Sequence, residues 1–437
     1  MSQENASRTD AVKALVSFEE AKTSMKTLLR QMQTTSPDSY EQQSLVQNLA
    51  LSVVRYRNTI DFILTRSFSK NKFQELDPKS RNILRLALYD SKWLKTDFSD
   101  ILTIFPEIAS EYLKEFRTAV NFNLEAAIRK LPETNRLSLE YSHPTFLVKT
   151  LLENLDLDDA IQLMKASNQG RTYYIRPNQL HDDYESALDS LEHVTLKSDP
   201  NIPEVSQVLH GIDAVVTSKE FRTGQVLIQD KASILTVKAL DPKPGEKIWD
   251  ACAAPGMKTQ LIAEKLKGRG ELIATDIYEE RVKVASELSQ HLLATQIEWL
   301  QADATKPVVA DADKILIDAP CTSTGVLQTY PSFKWRLNKE TLFALMTVQN
   351  KILDAILTTY AERPGTEIVY STCSILPHEG ESQIESAIKR HNVDLLKPLD
   401  YGSPGYSKFD CSDKVTRLFP HKHYTSGFFI ARLRIMH

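Results

Sequence analysis

The sequence predicts an α/β protein: a parallel sheet covered on both faces by helices, preceded by an all-helical domain and a small α+β module. Three observations carry this. Glycine is absent from the first 169 residues, as in a helical bundle with few left-handed turns. The pattern changes near Thr134, where short helical pieces give way to short β-like ones. From Gly224 onward, strand-like runs and amphipathic helices alternate, the mark of parallel βα units. A chain of 437 residues is also too long for one core to be the default.

Within residues 1–135, "QQSLVQNLALSVVRYRNTIDFILTRSF" and "DPKSRNILRLALYDSKWL" carry apolar residues at three- and four-residue intervals. The second opens with Asp77 as N-cap and Pro78 at the first helical position. "FRTAVNFNLEAAIRKLPE" is a third such element, ended by Pro132. In residues 136–224, two short helices over "EYSHPTFLVKTLLENLDLDDAIQLMKASNQ" precede the β-like "GRTYYIRPN" and "VLHGIDAVVTS". In residues 225–437, the expected strands are "EKIWDA", "ELIATD", "IEWLQAD", "KILIDAP", "EIVYSTC" and "GFFIARLRI". Helices such as "MKTQLIAEKL", "EERVKVASELSQHLL" and "ETLFALMTVQNKILDAILTTY" separate the first five. The last strand follows without a full crossover helix and is expected as an antiparallel edge strand.

Hydrophobic content of 42% and charged content of 25% are ordinary for a globular protein. The polar N-terminus lacks a signal-peptide stretch, and no apolar run approaches the ~18 residues of a membrane span. A cytoplasmic protein with no membrane partner is expected. A net charge of −4 excludes a general polyanion binder, so any nucleic-acid site is a local basic patch. None of the four cysteines forms a CxxC pair, which argues against a metal site and, in a reducing compartment, against disulfides. Strand alternation would put His421 and His423 on one face, but no third ligand is evident and a structural role is expected.

In such a sheet, ligands bind at the carboxyl ends of the strands. Those ends carry Asp250 followed by "ACAAPGMKT", then Asp276, Asp303, Asp318 with Cys321, and Thr372-Cys373-Ser374. The small-residue loop lets a ligand approach the backbone, and the helix after it offers free N–H groups to a carboxylate. The loop is neither GxGxxG nor a P-loop. Asp276 is placed to accept bonds from two ribose hydroxyls and Asp303 from an adenine amine. An adenosine ligand without phosphates but with a carboxylate fits, and S-adenosyl-L-methionine is such a ligand.

"DACAAPGMKT", "ATDIYEERV", "QADAT", "IDAPCTSTGVL", "VYSTCSILPHEGES" and "GFFIARL" resemble the successive motifs of the RNA 5-methylcytosine methyltransferases. "LIQDKASIL" resembles the segment before their cofactor loop. The helical N-terminal region resembles the NusB-like RNA-binding domain of the RsmB branch, which acts on small-subunit (16S-type) ribosomal RNA. The resemblance implies a Rossmann-like S-adenosylmethionine-dependent methyltransferase domain behind a NusB-like domain. It implies Cys373 as nucleophile, Cys321 as helper in elimination and product release, and Asp318 and Lys258 beside them. It implies a cofactor set of Cys252, Ala253, Ala254, Pro255, Gly256, Met257, Lys258, Asp276, Arg281, Asp303 and Asp318. The residues alone do not rank the two cysteines. Their chemistry is nevertheless coherent: carbon 5 of cytosine becomes nucleophilic once a thiolate has added to carbon 6. The sequence departs from the family pattern at Met257, where glycine is usual, at Gln328 to Tyr330, at Gly380 and at Ser426.

Arg171 and Arg176 in the middle module, and Lys334 and Arg336 in "FKWR", are candidate contacts to the RNA substrate, with Tyr173 and Tyr174 as stacking platforms. The partner expected is RNA, ribosomal first and tRNA as the alternative, bound by a monomer. A non-catalytic RNA-binding scaffold is the reading from a different class; the intact Cys321, Cys373, Asp318 and Lys258 speak against it.

Overall fold

Asp77 caps the Pro78–Tyr89 helix as its sequence requires, its carboxylate accepting the N–H groups of Lys79 and Ser80 at 2.9 and 3.1 Å. The computed structural model describes residues 3–20, 24–35, 40–69 and 72–437. Its packing separates two units, Met1–Gln169 with Leu327–Leu337, and Gly170–Val326 with Asn338–His437.

The first unit is helical among its described residues. The run from Gln42 to Phe68 forms two helices, Tyr40–Arg55 and Arg57–Ser67, broken at Tyr56. The third predicted element also divides, into Leu113–Val120 and Leu124–Ile128, because Asn123 caps the second by accepting the Ala126 N–H at 3.0 Å. Leu49, Val53, Ile60, Leu84, Leu88 and Phe116 meet in its core. This unit extends to Gln169 and so takes in the helices that follow residue 135. Asn58 donates to the carbonyl of Ser138 and Thr59 to that of Leu139, which fastens the Glu133–Glu140 helix to this unit.

In the second unit, β1 (Tyr173–Pro177), β2 (Thr195–Asp199), β3 (Ile202–His210) and β4 (Val226–Ile228) form an antiparallel sheet in the order β2-β3-β1-β4. β4 therefore belongs to the small sheet, although its sequence reads as the start of the larger one. The larger sheet contains β5 (Lys247–Asp250), β6 (Glu271–Asp276), β7 (Ile297–Gln301), β8 (Lys314–Asp318), β9 (Glu367–Thr372), β10 (Val393–Leu396), β11 (Thr416–Leu418) and β12 (Phe428–Ile435). Its order is β10-β12-β9-β8-β5-β6-β7, with β11 also on β12. β5 to β9 are parallel, and β12 runs antiparallel to β9. β12 is not an edge strand, since β10 pairs with it on the far side. The strand order reverses between β5 and β8, so the cleft expected of such a sheet lies where Asp250 and Asp318 end those strands.

Candidate active site

Four neighbouring strands, in the order β9-β8-β5-β6, and one loop build the site. After β5, Gly256 takes φ +103° and opens the Met257–Leu266 helix. A side chain there would be strained and would crowd the Trp299 ring at 3.3 Å. The loop is fastened to β6 by the Ala253 N–H, which donates to the Thr275 carbonyl at 2.8 Å. A cavity of about 210 Å³ opens here. Asp250, Cys252, Ala253, Ala254, Pro255, Met257, Lys258 and Asp318 line it, together with Gln229, Asp230 and Ser233. The last three are functional candidates that the sequence reading passed over; the quoted "LIQDKASIL" was the available signal.

Asp250 is buried, with Oδ2 accepting the Thr259 hydroxyl at 2.8 Å and Oδ1 left without a partner. Burial pushes its carboxyl up to about 7. A buried acceptor with spare capacity, a small-residue loop and a helix N-terminus make a cradle that fits a zwitterionic nucleoside such as S-adenosylmethionine. Asp276 is buried beside the loop and accepts the N–H groups of Ala254 and Tyr278, both at 3.3 Å. Arg281 pairs with it at 3.0 Å and donates to the Ala254 carbonyl. Asp303 accepts the Thr305 N–H at 2.9 Å in a turn. Neither Asp276, Arg281 nor Asp303 lines the cavity itself. Burial pushes the Cys252 thiol up, which leaves it no thiolate character.

The two cysteines at the strand ends meet. Cys321 Sγ and Cys373 Sγ are 3.1 Å apart, both as free cysteines. Ser323 Oγ lies 3.5 Å from Cys373 Sγ, and the Gly325 N–H donates to the Cys373 carbonyl at 2.9 Å. Gly325 must be glycine, because a Cβ there would meet the Gly427 carbonyl oxygen at 1.9 Å. Beside the pair, Lys258 Nζ donates to Asp318 Oδ2 at 2.6 Å, and the Ser371 hydroxyl donates to Asp318 Oδ1 at 2.8 Å. Burial weakens the Lys258 ammonium, but Asp318 outweighs it and raises the lysine's affinity for its proton. The hydrogen bond from Cys321 lowers the Cys373 thiol against the opposing effect of burial; the Lys258 charge adds to the lowering. Its partner Cys321 goes up, through that same bond and burial. The arrangement favours a thiolate at Cys373 over one at Cys321.

Two of the RNA-contact candidates are corrected by burial. Arg176 is 1% exposed and grips Glu264 with two bonds from Nη1, at 2.7 and 2.8 Å. Its Nε donates to Gln229. Lys334 is also 1% exposed and donates to the Arg55 and Ser142 carbonyls and to Asn168 Oδ1. Neither reaches a phosphate. Tyr174 is buried, its hydroxyl donating to the Tyr424 carbonyl, so it offers no stacking face. Arg171 lies half-buried over the Tyr173 ring, 4.2 Å from its centroid. Arg336 is half-buried in the helical unit, beside Arg57, Arg81 and Arg85 on a cavity of about 600 Å³. His421 and His423 lie on a short helix, Pro420–His423, and not on a strand. His423 Nδ1 accepts the Phe419 N–H.

The profile described as 16S rRNA methyltransferase RsmB/F matches residues 237–434, and the NusB family profile matches residues 5–121. Ribosomal RNA small subunit methyltransferase B of Photorhabdus laumondii is 32% identical over 306 residues, 69% of this chain and 68% of the relative. The chain belongs to the RsmB/F family. These are S-adenosylmethionine-dependent rRNA cytosine-C5 methyltransferases. The protein of the same name from Serratia proteamaculans is 28% identical over 94% of both chains. Among solved structures, NSun6 from Pyrococcus horikoshii with SFG, an analogue of S-adenosylmethionine, has a TM-score of 0.59. It is 25% identical, over 67% of this chain and 98% of that one.

Proposed function

We propose that this chain methylates carbon 5 of a cytosine in small-subunit ribosomal RNA through a covalent bond between Cys373 and the base. The observation that carries the reading is the sulfur pair, 3.1 Å apart at the ends of adjacent parallel strands, beside Lys258 and Asp318. The target cytosine leaves its stack to reach this depth. The Cys373 thiolate adds to carbon 6, and the electrons of the 5,6 double bond shift toward carbon 5. Asp318 bonds the ring-nitrogen or amine edge of the base, where charge develops, with Lys258 supplying a balancing positive charge. Bound S-adenosylmethionine supplies the methyl group, leaving as the neutral thioether when carbon 5 takes it. Cys321 then assists removal of the carbon 5 proton; the double bond re-forms and expels the Cys373 thiolate.

The family description and the names of the relatives support ribosomal RNA as substrate, and the NusB match supports the helical unit as the RNA-binding part. All the proposed groups lie on one chain, in keeping with a monomer, and a ribosomal RNA substrate is in keeping with a cytoplasmic protein. No helix among the described residues is long and apolar enough to cross a membrane.

The test is transfer of labelled methyl from S-adenosylmethionine to deproteinised small-subunit RNA and to bulk tRNA in parallel, with products mapped by bisulfite sequencing. Label at one ribosomal cytosine is the expected result. Label in tRNA alone would overturn the substrate assignment, and transfer to neither, with cofactor bound, would leave an RNA-binding scaffold.

A further inference from the structure

Glu379 shares the "VYSTCSILPHEGES" motif with Cys373, but no step above uses it. It is completely buried in a short turn after β9, yet its carboxylate is saturated by the segment that carries Cys321. Oε1 accepts the Thr322 N–H at 2.9 Å and the Gln349 side-chain amide at 3.0 Å, and Oε2 accepts the Thr322 hydroxyl. The same Gln349 amide donates to the Pro320 carbonyl at 2.8 Å. The residues on either side of Cys321 are thus both held by this pair. The backbone carbonyl of Glu379 accepts the Tyr370 hydroxyl at 3.1 Å and the Thr372 hydroxyl at 3.3 Å, and Thr372 directly precedes Cys373. One residue therefore brackets both thiols, with its carboxylate on the Cys321 side.

We propose that Glu379 is the positioning residue of the cysteine pair, holding the two sulfurs in contact and keeping their shared proton on Cys321, so that Cys373 is the thiolate. This rests on the covalent reading above and adds the group that decides which cysteine attacks. A buried carboxylate beside a thiol disfavours a second negative charge there. The Glu379 charge is among the causes that raise Cys321. The other charged or titratable groups facing the pair are Lys258, Asp318 and Tyr370. Asp318 opposes a thiolate at Cys373, while the Ser323 hydroxyl and Lys258 favour it, and the Glu379 carboxylate adds to this asymmetry from the Cys321 side.

The test separates charge from geometry. Glu379→Gln keeps an oxygen for the Thr322 and Gln349 donors and places an amide against the Thr322 hydroxyl, which can accept. Gln349→Leu keeps the charge and removes one arm. Each protein, without cofactor or RNA, is alkylated with limiting iodoacetamide across a pH series, and the modified cysteine is identified by peptide mass spectrometry. Wild type should react at Cys373. Glu379→Gln should raise the Cys321-to-Cys373 labelling ratio by roughly tenfold, the equivalent of one pK unit, with melting temperature preserved. Gln349→Leu should leave the ratio unchanged. An unchanged ratio in Glu379→Gln, or an equal rise in both variants, would overturn the proposal. The covalent reading is tested apart from this by 5-fluorocytidine-substituted RNA, whose carbon 5 cannot release a proton. Wild type that forms no adduct on it would lose that reading, whatever the labelling ratio.

Discussion

Two cation–carboxylate pairs in the second unit, Lys258–Asp318 and Arg176–Glu264, have opposite consequences. Arg176 and Glu264 side chains are 2% and 0% exposed, and both carboxylate oxygens of Glu264 accept from one guanidinium nitrogen, with the Gln179 N–H also on Oε2. Lys258 and Asp318 are 13% and 28% exposed, line the cavity at the strand ends and lie beside the thiol pair. The first pair joins β1 of the small sheet to the helix that begins with the cofactor loop. The second presents charge to whatever enters the cavity. A cation's chemistry is decided by whether its partner keeps capacity toward open space, which no residue type announces.

The comparison can be broken, beginning with the largest effect. Cys373→Ala should abolish methyl transfer, while Cys321→Ala should retain the first step and accumulate a covalent RNA–protein adduct visible on denaturing gels. An adduct seen instead in Cys373→Ala would exchange the two assignments. Arg176→Met should leave Glu264 buried and unpaired and cost about 3–5 kcal/mol in denaturant unfolding, with the RNA affinity of the folded protein unchanged. Weaker RNA binding at full stability would restore Arg176 as a phosphate contact.

Two pH predictions sharpen the same contrast. Asp250 holds its proton up to about 7 in the folded chain, against an ordinary carboxyl near 3.8. Its folded value is raised, so its stabilisation is complete below the unfolded value and is lost as pH rises through about 7. Asp250→Asn should therefore raise the melting temperature by a few degrees at pH 8 and by less at pH 4, while weakening cofactor binding. Lys334 goes the other way: burial, then the Arg55 charge, press its ammonium well below the lysine range. The stability it confers grows as pH rises from the lowered value toward that of a free lysine, so the deficit of Lys334→Met should widen between pH 6 and pH 9 in thermal melts. The smallest expected effect is Arg336→Glu, which should weaken RNA binding and reduce the slope of log affinity against log salt by about one.

Strand ends were the legible part of the molecule. Period and spacing place the Met257–Leu266 helix and the cores of β5, β6, β8 and β9, and the strand-end rule then collects Asp250, Asp318, Cys321 and Cys373 in one place. β10 escaped because its "VDLL" is four residues, too short for a period to register. That omission is also why β12 reads as an edge strand. "HKH" reads as strand until Pro420 is recognised as the first residue of a helical turn. Arg176 and Lys334 misled because burial is a tertiary property: Glu264 is far along the chain from Arg176, and the carbonyls that hold Lys334 come from Arg55 and Ser142. Glu379 stands within "VYSTCSILPHEGES", where nothing in the sequence signals that its carboxylate turns back toward Cys321.

The most direct measurement is the identity of the cysteine joined to RNA. Wild-type protein is incubated with S-adenosylmethionine and 5-fluorocytidine-substituted small-subunit RNA, and the adduct is digested and mapped by mass spectrometry. A methylated cytosine remnant on Cys373 is the predicted result. A remnant on Cys321, or no covalent product from protein that binds both cofactor and RNA, would contradict the account.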